Sequence, residues 1–91
     1  MYRLVIATNQ YAGTFEHELF ANCIKDNRKY HVHPYKSMID NAVVVYYDNK
    51  PGKRQIENIL IRLNKWSKQT GVDVVEVVLL DNAKTIIEKY V

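Results

Sequence analysis

The pattern of apolar and polar positions along the chain predicts strands and helices that alternate and are joined by short turns. Runs of aliphatic, β-branched and aromatic residues predict strands at 2–8, 42–47 and 72–80. The segment 30–35 predicts a further short strand, with an ordered loop as the alternative. Pro34 limits that strand because proline cannot donate a hydrogen bond to a ladder.

Helices are predicted where apolar residues recur at spacings of three and four. The first begins at Phe15, after Thr14 as N-cap, and runs to about residue 27. The second follows NKPGKR and ends at Gly71, and its apolar stripe comprises Ile56, Ile59, Leu60, Leu63 and Trp66. A last short helix, capped by Asp81 or Asn82, has the stripe Ala83, Ile86, Ile87 and Tyr90.

The strands at 42–47 and 72–80 are apolar almost throughout, where a half-exposed strand would alternate. Strands of that kind are covered on both faces, which favours a parallel sheet between helices. The sequence therefore predicts a single α/β domain over residues 1–91, with a small, mainly parallel sheet of three to four strands flanked by three helices. The alternative is a ferredoxin-like α+β sandwich, which needs the same first six elements.

Polar residues follow each of the long predicted strands. In a parallel sheet these strand ends meet at one edge, where ligands commonly bind. Glu16 adds to this edge because it projects inside the apolar arc of the first helix, where an unpaired carboxylate is costly. The predicted ligand or partner edge comprises Asn9, Tyr11, Gly13, Glu16, Asp48 and Asp81. The alternative is that these residues form turns and helix caps, and that Glu16 is an exposed first-turn residue.

The second predicted helix is rich in cations, with Glu57 as the one acid between residues 50 and 68. The face opposite its apolar stripe also carries Ile61, which a purely solvated face does not require. The predicted basic interaction face comprises Lys53, Arg54, Asn58, Ile61, Lys65 and Lys68. The alternative is an ordinary soluble helix face.

Composition narrows the class of protein. An apolar content of 47% and a charged content of 25% are typical of a globular domain. The net charge of +3 is weak evidence for nucleic-acid or membrane binding. The single cysteine, Cys23, excludes an internal disulfide and is expected to be a small core residue. No signal peptide and no run of about 18 apolar residues is found, so a cytoplasmic location without membrane contact is expected.

The sequence contains few of the motifs that indicate catalysis. The sequence contains neither the G-x-S-x-G nor the G-x-G-x-x-G motif, and KPGKR is not a phosphate-binding loop. His31 and His33 would share one face of a strand, but no third ligand has a suitable spacing for zinc. We therefore expect a protein that is not an enzyme and that holds no metal or cofactor.

The turn after the first strand resembles that of a group of small bacteriophage-encoded proteins. Their Tyr-Ala-Gly-x-Phe-Glu pattern is matched by Tyr11, Ala12, Gly13, Phe15 and Glu16, and the resemblance covers roughly the first 24 residues. It implies a small phage accessory protein that acts in the host bacterial cytoplasm. Such proteins often bind and redirect, or block, a host macromolecule.

These observations and the resemblance predict a non-enzymatic binding module or inhibitor whose partner is a host protein. An acidic partner would match the charge of the basic helix. Two alternatives remain at this stage. One is the binding of a nucleotide or another small ligand at the carboxyl ends of the strands. The other is nucleic-acid binding through the basic helix at 53–69, by Lys53, Arg54, Lys65 and Lys68.

Overall fold

The computed structural model describes residues 1–9, 15–24, 30–35 and 37–91, without the side chains of residues 15, 16, 30–35 and 37–41. Within these ranges the elements, in chain order, are β1 (Tyr2–Thr8), α1 (Phe15–Leu19), a π-helical segment (Phe20–Ile24), β2 (Tyr30–Tyr35), β3 (Ser37–Tyr47), α2 (Lys53–Thr70), β4 (Val74–Leu80) and β5 (Ile86–Lys89). The strands predicted at Tyr2–Thr8 and Tyr30–Tyr35 are confirmed, and β3 begins earlier than predicted.

The strands form one five-stranded sheet in the order β2-β3-β1-β4-β5. Every neighbouring pair is antiparallel. The central strand β1 pairs Tyr2 with Tyr47 of β3, and Arg3 with Leu80 of β4. Both of its edges are therefore hydrogen-bonded along its length.

The predicted parallel sheet flanked by three helices is wrong. All pairings are antiparallel, and the described residues contain only two helical regions, at 15–24 and 53–70. The ferredoxin-like alternative is compatible with this topology, with β5 added beside β4. The error has a physical reason: an apolar run shows that both faces of a strand are buried, and it carries no information about the direction of the neighbouring strands.

Both faces of the sheet are buried at its centre. On one face, side chains of β1, β3 and β4 pack with α2 and the π segment in the larger core. On the other face lies a second cluster of buried residues: Val5, Ala7, Ala42, Val44 and Val78. This double burial accounts for the continuous apolar strands in the sequence.

The helix α2 matches the prediction closely. Its residues Ile56, Ile59, Leu63 and Trp66 are buried on the side that faces the core. The helix ends at Gly71, which adopts the left-handed conformation with φ of 76° and donates its N–H to the Ser67 carbonyl at 2.9 Å. Apolar periodicity and the glycine stop therefore defined this helix correctly.

The predicted last helix is also wrong, because the segment forms β5. A carboxylate oxygen of Asp81 accepts the N–H groups of Ala83 and Thr85, both at 2.9 Å, and so shapes a tight hairpin turn. Lys84 adopts a positive φ of 63° within that turn. The strand β4 supplies an open edge for pairing, and its ladder outweighs the weak helical spacing of four apolar residues.

The predicted first helix is shorter as a regular α-helix than expected. It gives way after Leu19 to the π segment, which buries Cys23 and Ile24. Burial of Cys23 agrees with its predicted core role. The predicted continuation to residue 27 and the predicted N-cap, Thr14, lie outside the described residues.

Candidate functional site

The predicted strand-end edge does not assemble. Asn9 follows the carboxyl end of β1, whereas Asp48 and Asp81 follow strands that run in the opposite direction. Asn9 therefore lies at one end of β1, and Asp48 and Asp81 lie at the other. At a rise of about 3.3 Å per residue, the two ends are about 20 Å apart. The prediction depended on parallel strands, and the antiparallel sheet removes its basis.

Two of these polar residues, Asn9 and Asp81, instead stabilise the fold through hydrogen bonds within the protein. The Asn9 side-chain amide donates to the Asp73 carboxylate at 3.3 Å, and its oxygen accepts the Asp73 N–H at 3.2 Å. The Asn9 N–H also donates to the Asp73 carbonyl at 3.1 Å. Asp81 shapes the hairpin turn, and Asp48 is exposed. Asp81 thus has the turn-forming role of the alternative interpretation, whereas Asn9 joins two segments that are remote in sequence.

The remaining residues of that edge cannot be placed as side chains. Tyr11 and Gly13 lie outside the described residues. Glu16 lies in the first turn of α1, and its side chain is not among those described. Their predicted role therefore stays a prediction.

The outer face of α2 is a continuous exposed surface. At 100° per residue, five exposed residues fall on one narrow band along the helix axis. This outer stripe comprises Arg54, Asn58, Ile61, Lys65 and Lys68. Ile61, at its centre, is 67% exposed. Their exposure agrees with the predicted position of these five residues opposite the core, whereas the predicted role in interaction, which also included Lys53, stays a prediction.

The outer stripe is electrostatically unbalanced. Within the described part of the chain, none of its three cations forms an ion pair with a carboxylate. Glu57 is exposed on its flank, and Lys53 lies further round the helix, where it lines a groove. The stripe thus presents uncompensated positive charge around one exposed aliphatic side chain.

The groove runs between α2 and β5. Two cavities of about 400 and 330 Å³ lie along it, and Leu60 and Tyr90 line both. Lys50 approaches Glu88 at 3.8 Å, and the Tyr90 hydroxyl donates to Glu88 at 2.8 Å. Burial raises the pKa of the Tyr90 hydroxyl well above its usual value. The hydrogen bond to Glu88 and the negative charge of Glu88 raise it further. Because its lining mixes lysines with glutamates, the groove shows no preference for one sign of charge.

A third, smaller cavity of about 200 Å³ lies on the other flank of α2, beside the π segment. The residues that line it are Asn22, Arg62, Lys65, Trp66 and Gln69. We call this cavity the donor cleft. It adjoins the outer stripe, because Lys65 belongs to both.

The second face of the sheet carries polar groups that the sequence analysis missed. Glu76 is only 7% exposed and forms a salt bridge with Lys89 at 3.5 Å. The guanidinium of Arg3 lies 5.7 Å from the centroid of the Tyr46 ring. The available signal for Glu76 was a single acid within the apolar strand VVEVVLL.

The described residues bring together no group of three potential metal ligands. His31 and His33 lie in β2, where they pair with Val44 and Ala42 of β3, and their side chains are not described. In the same part of the chain, no helix is long and apolar enough to cross a membrane.

Comparison with known proteins gives no match: no family model, curated protein or solved structure is significantly similar to this chain. The function of the protein is therefore inferred from the surfaces described above. On the outer stripe, exposure and a single sign of charge coincide around an apolar side chain.

Proposed function

We propose that this protein is a non-enzymatic binding module that docks an acidic surface of a partner protein on the outer stripe of α2. The observation that carries the proposal is the position of Ile61. It is 67% exposed and is surrounded along the helix by cations that form no ion pair within the described part of the chain. An exposed apolar side chain surrounded by charged residues is an arrangement found at protein interfaces.

The dimensions of the outer stripe fit such a role. From Arg54 to Lys68 it extends along about 21 Å of helix, at 1.5 Å per residue. A standard interface buries about 800 Å² on each side and involves about 20–30 residues, so the outer stripe would form the centre of the contact and neighbouring surface would complete it. The positive charge would steer an acidic partner during the encounter, and Ile61 would slow its dissociation.

The same chemistry disfavours two other partners. Nucleic acid is bound mainly through phosphate contacts, which Ile61, at the centre of the stripe, does not provide. A second copy of this chain, docked symmetrically, would place the stripe against itself and bring like charges together. An acidic protein surface satisfies both the cations and the isoleucine.

The similarity of residues 11–16 to phage-encoded proteins supports a host bacterial protein as the partner, and binding that blocks or redirects it. The proposal places the partner in the bacterial cytoplasm. It requires no cofactor and no chemical step.

The test is capture from bacterial lysate with the tagged protein, with and without nuclease, followed by mass spectrometry. Ile61→Asp should abolish capture of a protein that survives nuclease, and so should the combined reversal of Arg54, Lys65 and Lys68 to Glu. Ile86→Asp is the matched control, because Ile86 is 55% exposed, lies on β5 and lines neither the groove nor the donor cleft. All of these changes lie at exposed positions.

Equal loss with Ile86→Asp would show that capture reflects general hydrophobic contact and would contradict the proposal. Loss of the whole captured fraction on nuclease treatment would favour nucleic acid instead. In that case binding should also weaken steeply with salt, by about one unit of slope for each phosphate contact.

A further inference from the structure

The donor cleft has a chemistry that the proposed function does not by itself require. Among the described residues, its lining contains two cations and two amides, and no carboxylate. The indole nitrogen of Trp66 has no hydrogen-bond partner within the described structure. Trp66 is only 4% exposed, so this N–H is a buried donor left without an acceptor. Leaving such a group unpaired is unfavourable.

The donors of the cleft are only partly used within the protein. Arg62 donates its Nε to the Cys23 carbonyl at 2.7 Å, which fixes the guanidinium beside the π segment. Asn22 donates its amide nitrogen to the Glu18 carbonyl at 2.8 Å. Lys65 and Gln69 are exposed at the rim. Within the described residues, the terminal nitrogens of Arg62, the Lys65 ammonium, the Gln69 amide and the Trp66 indole therefore remain as donors.

We propose that the donor cleft receives a carboxylate side chain of the acidic partner protein; this inference rests on the proposed function. A carboxylate accepts several hydrogen bonds at once and pairs well with a guanidinium. The cavity of about 200 Å³ is larger than the volume that several water molecules occupy in the liquid, which is about 30 Å³ each. It therefore has room for a carboxylate with part of its hydration.

The position of the cleft links it to the outer stripe. Lys65 lines the cleft and belongs to the stripe, so a partner seated on the stripe lies within reach. The indole nitrogen itself is covered, so the proposal requires a lining side chain to swing aside before an incoming oxygen can reach it. Lys65 and Gln69 are long and exposed, and their rotation costs little.

The chain contains one tryptophan, so a single indole N–H resonance reports on the cleft. The experiment titrates the ¹⁵N-labelled protein with an acetylated hexaglutamate peptide, with hexaglutamine as the uncharged control. We expect the indole resonance to shift with hexaglutamate and to stay in place with hexaglutamine. No shift with hexaglutamate would overturn the proposal.

Two variants test the cleft. Gln69→Glu adds a repelling charge, and Gln69→Leu removes one donor without adding charge. The peptide concentration at half-shift should rise about tenfold or more for Gln69→Glu, which corresponds to about 1.4 kcal/mol. Asn64→Glu is the matched control, because it adds the same charge at an exposed position on the opposite flank of α2. An equal loss with Asn64→Glu would indicate general electrostatic attraction and overturn the cleft assignment.

A stripe variant separates this inference from the proposed function. Arg54→Glu combined with Lys68→Glu leaves the cleft residues intact. If the indole shift persists in that variant while capture of the partner is lost, both proposals stand. If capture depends on the stripe and the wild-type indole does not respond to hexaglutamate, only the cleft assignment fails. A stronger response to inorganic phosphate than to hexaglutamate would replace the carboxylate with a phosphate ligand and overturn the present assignment.

Discussion

Individual polar residues of this protein often stabilise the fold at places where they resemble site residues. Asn9 binds the backbone and the side chain of Asp73 and so joins the end of β1 to the start of β4. Tyr90 donates to Glu88 while its ring packs against the larger core. Each of these contacts depends on a partner that is remote in sequence or on a strand that was not predicted.

Tyr90 predicts a pH dependence of stability. Its pKa is raised above the ordinary value of 10.0, mainly by burial and further by Glu88. The folded state therefore keeps the Tyr90 proton at a pH where the unfolded chain releases it. Unfolding then releases a proton, and this contribution to the free energy of unfolding, fully present below about pH 10, is lost as the pH rises above it.

The measurement is denaturant unfolding between pH 8 and pH 11, chosen to span that value. Tyr90→Phe should flatten the alkaline loss of stability and cost about 0.5–1.5 kcal/mol at neutral pH through the lost hydrogen bond. Glu88→Gln should keep most of the alkaline slope, because burial is the larger cause. If Tyr90→Phe leaves the slope unchanged, other groups produce it.

At the scale of elements, α2 has four different sides. One side packs against the core through residues such as Ile59 and Trp66. The outer stripe is exposed, and the two flanks border the groove with β5 and the donor cleft. A change in the length or position of this helix would therefore affect every candidate binding surface of the described structure.

The end of α2 gives a prediction about stability. Gly71 has a φ of 76°, and a Cβ added there would meet no atom within 4 Å. Gly71→Ala should therefore cost about 1–2 kcal/mol, through backbone strain alone. Gly52→Ala is the matched control, because Gly52 is equally open but has an ordinary φ of −70°.

Gly52→Ala should change the free energy of unfolding by only a few tenths of a kcal/mol, because the poorer N-cap is offset by the lower entropy of the unfolded chain. The comparison is made by chemical denaturation of both variants. Equal losses in the two variants would contradict the strain argument, since only one of them has a positive φ.

The strand β5 shows how an edge is protected. It is the last strand in the sheet order, and all four of its residues are exposed. Leu79 pairs with Glu88 and Leu80 pairs with Ile86, so Ile87 is an extra residue that interrupts the ladder. Irregular pairing, short length and charged residues are features that discourage edge-to-edge association.

At the scale of the whole molecule, the sheet order predicts a gradient of stability. The strand β1 is paired on both sides and buried from Leu4 to Thr8, whereas β5 is short and exposed. Amide hydrogen exchange in β1 should therefore require global unfolding, and exchange in β5 should be at least about 100-fold faster.

Native-state hydrogen exchange measured by NMR tests this gradient, with the free energy of unfolding from denaturant as the reference. Protection of β5 equal to that of β1 would mean that another surface covers β5. Weak protection of β1 would contradict its central position in the sheet.

The sequence by itself determined the local elements whose signals are strong. Periodic apolar residues and Gly71 defined α2, and β-branched runs located β1, β4 and the second half of β3. It also identified the outer stripe, because the position of a residue around a helix follows from spacing alone. These features depend on interactions between residues close in the chain.

The tertiary structure decided the direction of the strands, the nature of the last element and the positions of the polar groups. Apolar runs are the same in parallel and antiparallel sheets when both faces are buried, so the sequence could not give the direction. The segment 86–89 became a strand because β4 offered an edge, and the donor cleft formed because α2 packs beside the π segment. Such features depend on partners distant in the chain, and no local pattern of residues specifies them.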